Sequence, residues 1–127
     1  MPRDMNRPAF IPEPLWAQLC LNGTRTAIGH NIDPPPVLKL FTPDAQATWL
    51  LSEAYLSTPD LAFGLCDPGL GYPELGYVSL AELACIRGPL GLRIELDTSF
   101  VAIGPLSTYA TAARAARRVV TPPQPTS

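Results

Sequence analysis

The stretch TWLLSEAYLSTPDLAFGLC, residues 48–66, decides the fold that the sequence predicts. Residues 48–57 and 61–66 are expected to form two strands, because Thr58-Pro59-Asp60 between them is typical of a turn. Alternation along the first strand would place four side chains on one face: Trp49, Leu51, Glu53 and Tyr55. Gly64 in the second strand allows a bulge or a close contact with another backbone. The stretch therefore predicts an antiparallel pair of strands.

Apolar segments on both sides extend this pair into a larger sheet. Residues 37–41 (VLKLF) precede it and end at the turn Thr42-Pro43-Asp44, whereas residues 75–78 follow it. Residues 91–97 (GLRIELD) alternate, and the side chains expected to face the core are Leu92, Ile94 and Leu96. A last strand is expected at 100–103. The turn signals between these segments favour a meander of four or five antiparallel strands.

Three helices are expected beside the sheet, at Pro14–Leu21, at Leu80–Ile86 and, rich in alanine, at 106–120. Asn22-Gly23 is typical of a helix end. Ser79 and Glu82 have the spacing of a capping box, in which the serine hydroxyl accepts from the Glu82 N–H group. The sequence thus predicts a small α+β fold. Its predicted parts are a flexible leader at 1–10, a single domain at 11–108, a basic helix at 109–120 and a disordered tail at 121–127.

The net charge of −2 is distributed unevenly along the 127 residues. Residues 41–100 carry eight acidic and two basic side chains, whereas residues 101–127 carry three arginines and no acid. An acidic body repels phosphates, which argues against nucleic-acid binding by that part of the chain. The candidate nucleic-acid contacts are therefore in the tail: Arg114, Arg117 and Arg118.

No pattern in the sequence indicates a metal, a cofactor or a membrane span. Cys20, Cys66 and Cys85 form no CxxC pair and are expected to be buried free thiols. No apolar run approaches the ~18 residues of a membrane helix, and the first residues lack the apolar core of a signal peptide. We therefore expect a cytoplasmic protein that works without a cofactor.

The glycine-rich stretch GLGYPELGYVSL, residues 69–80, invites comparison with a phosphate-binding loop. Its spacing is G-x-G-x-x-x-x-G, no Gly-Lys-Ser/Thr follows, and a predicted strand separates it from the next helix. Consecutive turns around Pro68 and Pro73 account for the glycines. Tyr72 in these turns is a candidate partner contact, because exposed tyrosines are frequent in protein interfaces.

Catalysis has little support in these residues, and we expect no enzyme. His30 is the only histidine and lies in a predicted loop, so any nucleophile–base pair that needs a histidine would have to use it. The acidic residues of the body leave one alternative open, a small hydrolase that uses a pair of carboxylates. That alternative requires carboxylates that converge in a pocket.

Several motifs resemble, in their order, one uncharacterised bacterial family, the domain of unknown function numbered twenty-nine fifty-eight. They are LKLFTPD at 38–44, TW at 48–49, LAFGL at 61–65, ELGYVSLAEL at 74–83 and IRGPLGLRIELD at 86–97. The resemblance covers residues 11–108, and the arginine-bearing segment beyond Tyr109 looks like an addition. It implies no known catalysis. It does imply a genetic setting, since such proteins resemble cargo of plasmids and integrative elements, near anti-restriction and partition-type genes.

The first functional hypothesis is a non-enzymatic protein-binding module of a mobile genetic element. It would act as an anti-defence inhibitor, anti-restriction or anti-CRISPR, by occluding a host nucleic-acid-binding protein such as a defence nuclease. An acidic body would complement the basic surface of such a partner. The candidate partner contacts are Asp44, Glu53, Asp67, Tyr72 and Glu74. The alternative is a nucleic-acid-associated accessory protein of plasmid maintenance that uses the C-terminal basic helix. Either protein is expected to be a monomer or a homodimer.

Overall fold

The computed structural model describes residues 7–30 and 32–121. Its elements, in chain order, are helix α1 (Glu13–Ala27), strands β1 (Leu38–Phe41), β2 (Thr48–Tyr55), β3 (Thr58–Asp67) and β4 (Glu74–Ser79), helix α2 (Leu80–Cys85), strand β5 (Glu95–Leu96) and helix α3 (Leu106–Ala116). The strands form one antiparallel sheet in the order β4-β3-β2-β1-β5. The predicted small α+β fold with an antiparallel sheet of four or five strands is thus confirmed, and the last strand, β5, returns to pair with β1.

Apolar side chains pack on both faces of this sheet. On one face, Trp49 and Leu51 of β2 belong to a cluster with α1 and α2. On the other face, Leu50 and the neighbouring Leu65 of β3 pack against α3. Because β2 is covered on both sides, six of its eight residues are buried. The sheet is therefore the middle layer of three, and surfaces for binding remain mainly at its edges.

Helix α1 is longer than expected, because Asn22-Gly23 does not end it. Asn22 is 3% exposed, and its Nδ2 donates to the Ser52 carbonyl at 2.9 Å. A Cβ at Gly23 would stand 1.8 Å from the Ala54 carbonyl oxygen, so only glycine permits this approach. The pair predicted to stop the helix instead docks the middle of the helix on β2.

A β-bulge at Ser52 overturns the predicted faces of β2. Leu51 pairs with Gly64, but Glu53 pairs with Phe63, so Ser52 is an extra residue between them. One extra residue moves every following side chain to the opposite face. Glu53 therefore lies on the α3 side, whereas the alternation predicted it beside Trp49 and Leu51.

The predicted turn at Thr58-Pro59-Asp60 is also wrong, since these residues begin β3. Tyr55 pairs with Thr58, which leaves a two-residue turn at 56–57. Asp60 accepts the Ser79 hydroxyl at 2.5 Å and the Ala81 N–H at 2.8 Å at the start of α2. The predicted serine cap is confirmed, because Ser79 Oγ accepts from the Glu82 N–H at 3.2 Å.

The segment predicted as two further strands, 91–97 and 100–103, is mostly irregular. Only Glu95–Leu96 forms a strand, and residues 100–103 are not in the sheet. Ile94 is buried as predicted, whereas Leu92 is exposed, because the chain turns sharply at Gly91, whose φ is +82°. This turn places large apolar side chains outside the core.

Helix α3 is shorter than the predicted 106–120 and is part of the fold. Leu106, Tyr109, Ala110 and Ala113 are buried in the second cluster. At its start, Ser107 donates both its N–H and its hydroxyl to the Asp33 carboxylate from the proline-rich segment. Of the predicted leader, residues 7–10 are described, and Phe10 packs on the first cluster. Residues 1–6 and 122–127, which hold the rest of the leader and nearly all of the tail, lie outside the described residues.

Candidate interaction surface

Strand β4 is an edge of the sheet and carries large exposed side chains. It pairs only with β3, so the N–H and C=O groups on its other side point away from the sheet. Leu75 and Tyr77 alternate on the α3 side of the sheet, opposite Leu65 and Phe63. Tyr77 is 62% exposed and Leu75 is exposed as well. We call the surface formed by Leu75, Tyr77 and the open edge the β4 surface.

A carboxylate and three aromatic rings lie at one end of the β4 surface. Tyr77 is 5.1 Å from Phe63 and 6.1 Å from Tyr55, measured between ring centroids. The Tyr55 hydroxyl donates to Glu53 Oε1 at 2.8 Å. Burial, followed by the hydrogen bond to Glu53, raises the pKa of Tyr55 well above its usual value. Tyr55 therefore keeps its hydroxyl proton and donates the hydrogen bond, and Glu53 accepts it.

The other end of the β4 surface is a basic cleft between the 68–73 loop and the end of α3. The cleft has a volume of about 470 Å³, and its lining includes Tyr72, Glu74, Arg114 and Arg117. Arg118 lines an adjoining cleft with Arg117. The structure thus brings together residues that the sequence assigned to two separate contact sets.

In the described part of the chain, the ion pair is that of Lys39 with Asp97. The arginines of this cleft therefore have no acidic partner there. Arg114 lies in the last turn of α3 and Arg117 caps its end, where cations also interact favourably with the helix dipole. Tyr72, exposed as expected at 70%, stands beside them. The cleft can therefore accept an anionic group, with an aromatic ring next to it.

Asp67, a predicted partner contact, is buried and has a structural role. It is 2% exposed, and its two oxygens accept from the N–H groups of Gly69 and Val119, each at 2.8 Å. These bonds tie the glycine loop to the chain that leaves α3. The residue therefore holds the two walls of the basic cleft together and does not itself face a partner.

Asp44, also a predicted partner contact, is half-buried against the turn at 88–91. Its Oδ2 accepts from the Leu90 N–H at 2.7 Å. A Cβ at Gly88 would stand 1.7 Å from Asp44 Oδ1, which accounts for a glycine at that position. Of the five predicted partner contacts, Tyr72 and Glu74 are the exposed ones, while Glu53 is buried apart from a small fraction.

The described residues contain no group of three or more His, Cys, Asp or Glu side chains that could hold a metal ion. The described cysteines form no disulfide, but only Cys20 is buried as expected, since Cys66 is half-buried and Cys85 is exposed. None of the described helices combines the length and the apolar character that crossing a membrane requires. His30 is exposed in the loop after α1, as the sequence suggested.

Comparison with protein families gives one match. The family described as "Protein of unknown function (DUF2958)" matches residues 10–120. The chain belongs to this family. The match continues past Tyr109 and beyond the end of α3, to residue 120, so the arginine-bearing segment of this DUF2958 protein lies within the matched range and is not an addition to it. Comparison with curated proteins and with solved structures gives no match.

Proposed function

We propose that this DUF2958 protein is a non-enzymatic binding module whose β4 surface docks an extended segment of a partner protein. The observation that supports this function is an unpaired edge strand with exposed Leu75 and Tyr77. An extended peptide gains main-chain hydrogen bonds from such an edge, while its alternate side chains contact the exposed residues. The two ends of the surface carry opposite charge, which favours one orientation of the docked segment.

The proposed biological role is anti-defence, in which the protein occludes a host nuclease. The resemblance to cargo of plasmids and integrative elements supports this role. Occlusion needs only a surface, so it agrees with a site built from an open strand and exposed aromatic rings. A cytoplasmic setting belongs to the same proposal.

The test compares the wild-type protein with a variant that carries Leu75→Ser and Tyr77→Ser. Both side chains are exposed, so the variant is expected to fold and to lose partner binding. The measurements are affinity capture followed by identification of the captured proteins, and restriction or CRISPR interference in cells that express each version. Wild type should capture a nuclease component and protect incoming DNA, and the variant should do neither. Equal protection of DNA by wild type and variant would contradict the proposal. Restriction or CRISPR interference that stays unchanged when either version is expressed would contradict it as well.

Nucleic-acid binding at the basic cleft is the second candidate function. It is favoured by Arg114, Arg117 and Arg118, which lack acidic partners in the described chain, and by the exposed ring of Tyr72. Single-stranded nucleic acid is bound by such combinations of cations and a stacking ring.

A triple Arg→Gln variant tests this candidate better than removal of residues 110–127, because Ala110 and Ala113 are part of the core. Fluorescence anisotropy with a labelled single-stranded oligonucleotide should show salt-sensitive binding that the variant loses. Binding that persists in the variant, or no binding by wild type at low salt, would remove this candidate.

A further inference from the structure

Glu53 has a buried carboxylate with no cation beside it in the described residues. Glu53 is 6% exposed, and within residues 7–30 and 32–121 no basic side chain lies at ion-pair distance from it. A buried charge that lacks a partner of opposite charge is costly, which makes Glu53 a candidate for contact with a cation from outside the chain. Its hydrogen bond from Tyr55 offsets only part of this cost, because the donor is neutral.

The second oxygen of Glu53 is not fully enclosed by the protein. In the described residues, the buried side-chain oxygens and nitrogens that lack a hydrogen-bond partner are Arg7 Nε and Asp44 Oδ1. Glu53 Oε2 is not one of them and makes no hydrogen bond, so it must contact solvent. The carboxylate is thus anchored by one oxygen and accessible at the other.

The surroundings of this oxygen fit an organic cation. Tyr77, Tyr55 and Phe63 form a connected group of rings on the same face of the sheet. A cation within about 6 Å of an aromatic ring centre is attracted by the π-electrons, and tyrosine hydroxyls can accept its hydrogen bonds. An anion would be repelled by the carboxylate, and Ca²⁺ would require roughly six to eight oxygen ligands.

We propose that Glu53, Tyr55 and Tyr77 bind a basic side chain, the ammonium group of a lysine or the guanidinium group of an arginine, of the protein that docks along β4. This inference rests on the proposed function, because it names the chemical group by which that partner is recognised. Tyr77 belongs to the β4 surface, so a docked segment passes directly beside the site. The basic side chain crosses the exposed ring of Tyr77 to reach Oε2 of Glu53.

The first experiment measures the binding of small probes to the isolated protein. Amide chemical shifts of Glu53, Tyr55 and Tyr77 are followed by NMR while N-acetyl-lysine amide or N-acetyl-arginine amide is added. N-acetyl-glutamine amide is the neutral control probe, and choline represents a free small-molecule cation. Saturable shifts with a basic probe, and none with the neutral probe, are expected. Equal binding of the neutral probe would overturn the proposal, and so would tighter binding of choline than of both amino-acid probes.

Variants then test the residues. Glu53→Gln keeps an acceptor for Tyr55 and removes the charge, so affinity for the basic probes should fall about tenfold or more. Tyr77→Ala should weaken binding about threefold or more through loss of the ring. Glu13→Gln is the control, since it removes an exposed carboxylate from α1, on the opposite face of the sheet, and should leave affinity unchanged. Unchanged affinity in Glu53→Gln would overturn the proposal.

The experiment remains informative if one variant does not fold, and it separates the cation site from the proposed function. If Glu53→Gln does not fold, Tyr77→Ala alone decides, because that ring is exposed and outside the core. The probes need no partner, so failure of the site and failure of the proposed function give different results. Probe binding without capture of any partner would support the cation site and contradict the docking function, whereas capture without probe binding would do the reverse.

Discussion

Replacing Asn22 by alanine tests whether the α1 side chain holds the β2 bulge in place. Asn22 is buried, and its donor bonds the carbonyl of the extra residue Ser52 at 2.9 Å. Alanine would leave that carbonyl buried without a partner, at a cost of about 1–3 kcal/mol. The better helix propensity of alanine returns roughly 0.5 kcal/mol. The free energy of unfolding should therefore fall by about 0.5–2.5 kcal/mol.

Urea unfolding followed by tryptophan fluorescence provides the measurement, because Trp16 and Trp49 are both buried in the cluster around α1. Gln18→Ala is the matched control. Gln18 is exposed on the same helix and donates only to Asn22 Oδ1, at 3.0 Å, so its loss should change stability by less than about 0.5 kcal/mol.

The same variant has a second readout at the proposed site. Because the bulge sets the side of the sheet on which Glu53 lies, Asn22→Ala should also weaken binding of the basic probes, while Gln18→Ala should not. If Asn22→Ala and Gln18→Ala were equally stable, the reasoning that this side chain anchors the bulge would be refuted.

Three further predictions concern side chains whose roles the structure changes. Asp67→Asn should lower the free energy of unfolding by about 2–3 kcal/mol, because one of its two charge-assisted bonds is lost, whereas the exposed Glu74→Gln should have little effect in the same urea titration. Hydrogen bonds at the start of α2, first that from the serine hydroxyl and then that from a backbone N–H, lower the pKa of Asp60 below its ordinary 3.8. The stabilisation by the ionised Asp60 is therefore complete above pH 3.8 and is lost as the pH falls through the lower pKa of the folded state. Asp60→Asn should accordingly be less thermally stable than wild type at pH 6, and the difference should shrink below pH 3.8. Alkylation followed by mass spectrometry should label the exposed Cys85 first, whereas burial raises the pKa of Cys66 to about 11, which makes its thiolate about a hundredfold scarcer.

The strands could be predicted from the sequence because local signals agreed with the tertiary contacts. The apolar runs at 38–41 and 61–66 are strands, and the Ser79 cap begins a helix as expected. The misassigned positions were those whose local signal serves a distant contact. Asn22-Gly23 is typical of a helix end. In the structure, however, the Asn22 amide bonds a strand about thirty residues away in the sequence, and Gly23 lets that strand approach because it has no side chain. A propensity for ending helices cannot reveal which backbone lies opposite.

The sequence names Glu53 as a partner contact but places it on the wrong face of β2, for one physical reason, the bulge at Ser52. Alternation along β2 predicts Glu53 on the face of Trp49 and Leu51, where a carboxylate would meet α1 in an apolar core. One extra residue turns that carboxylate to the α3 side and pairs Glu53 with Phe63, whose ring contacts Tyr77. No composition or spacing rule signals the insertion, because a serine fits a regular strand as well as a bulge. The same shift also explains the site, since it moves Glu53 away from the α1 cluster and places it beside Tyr55 and Phe63.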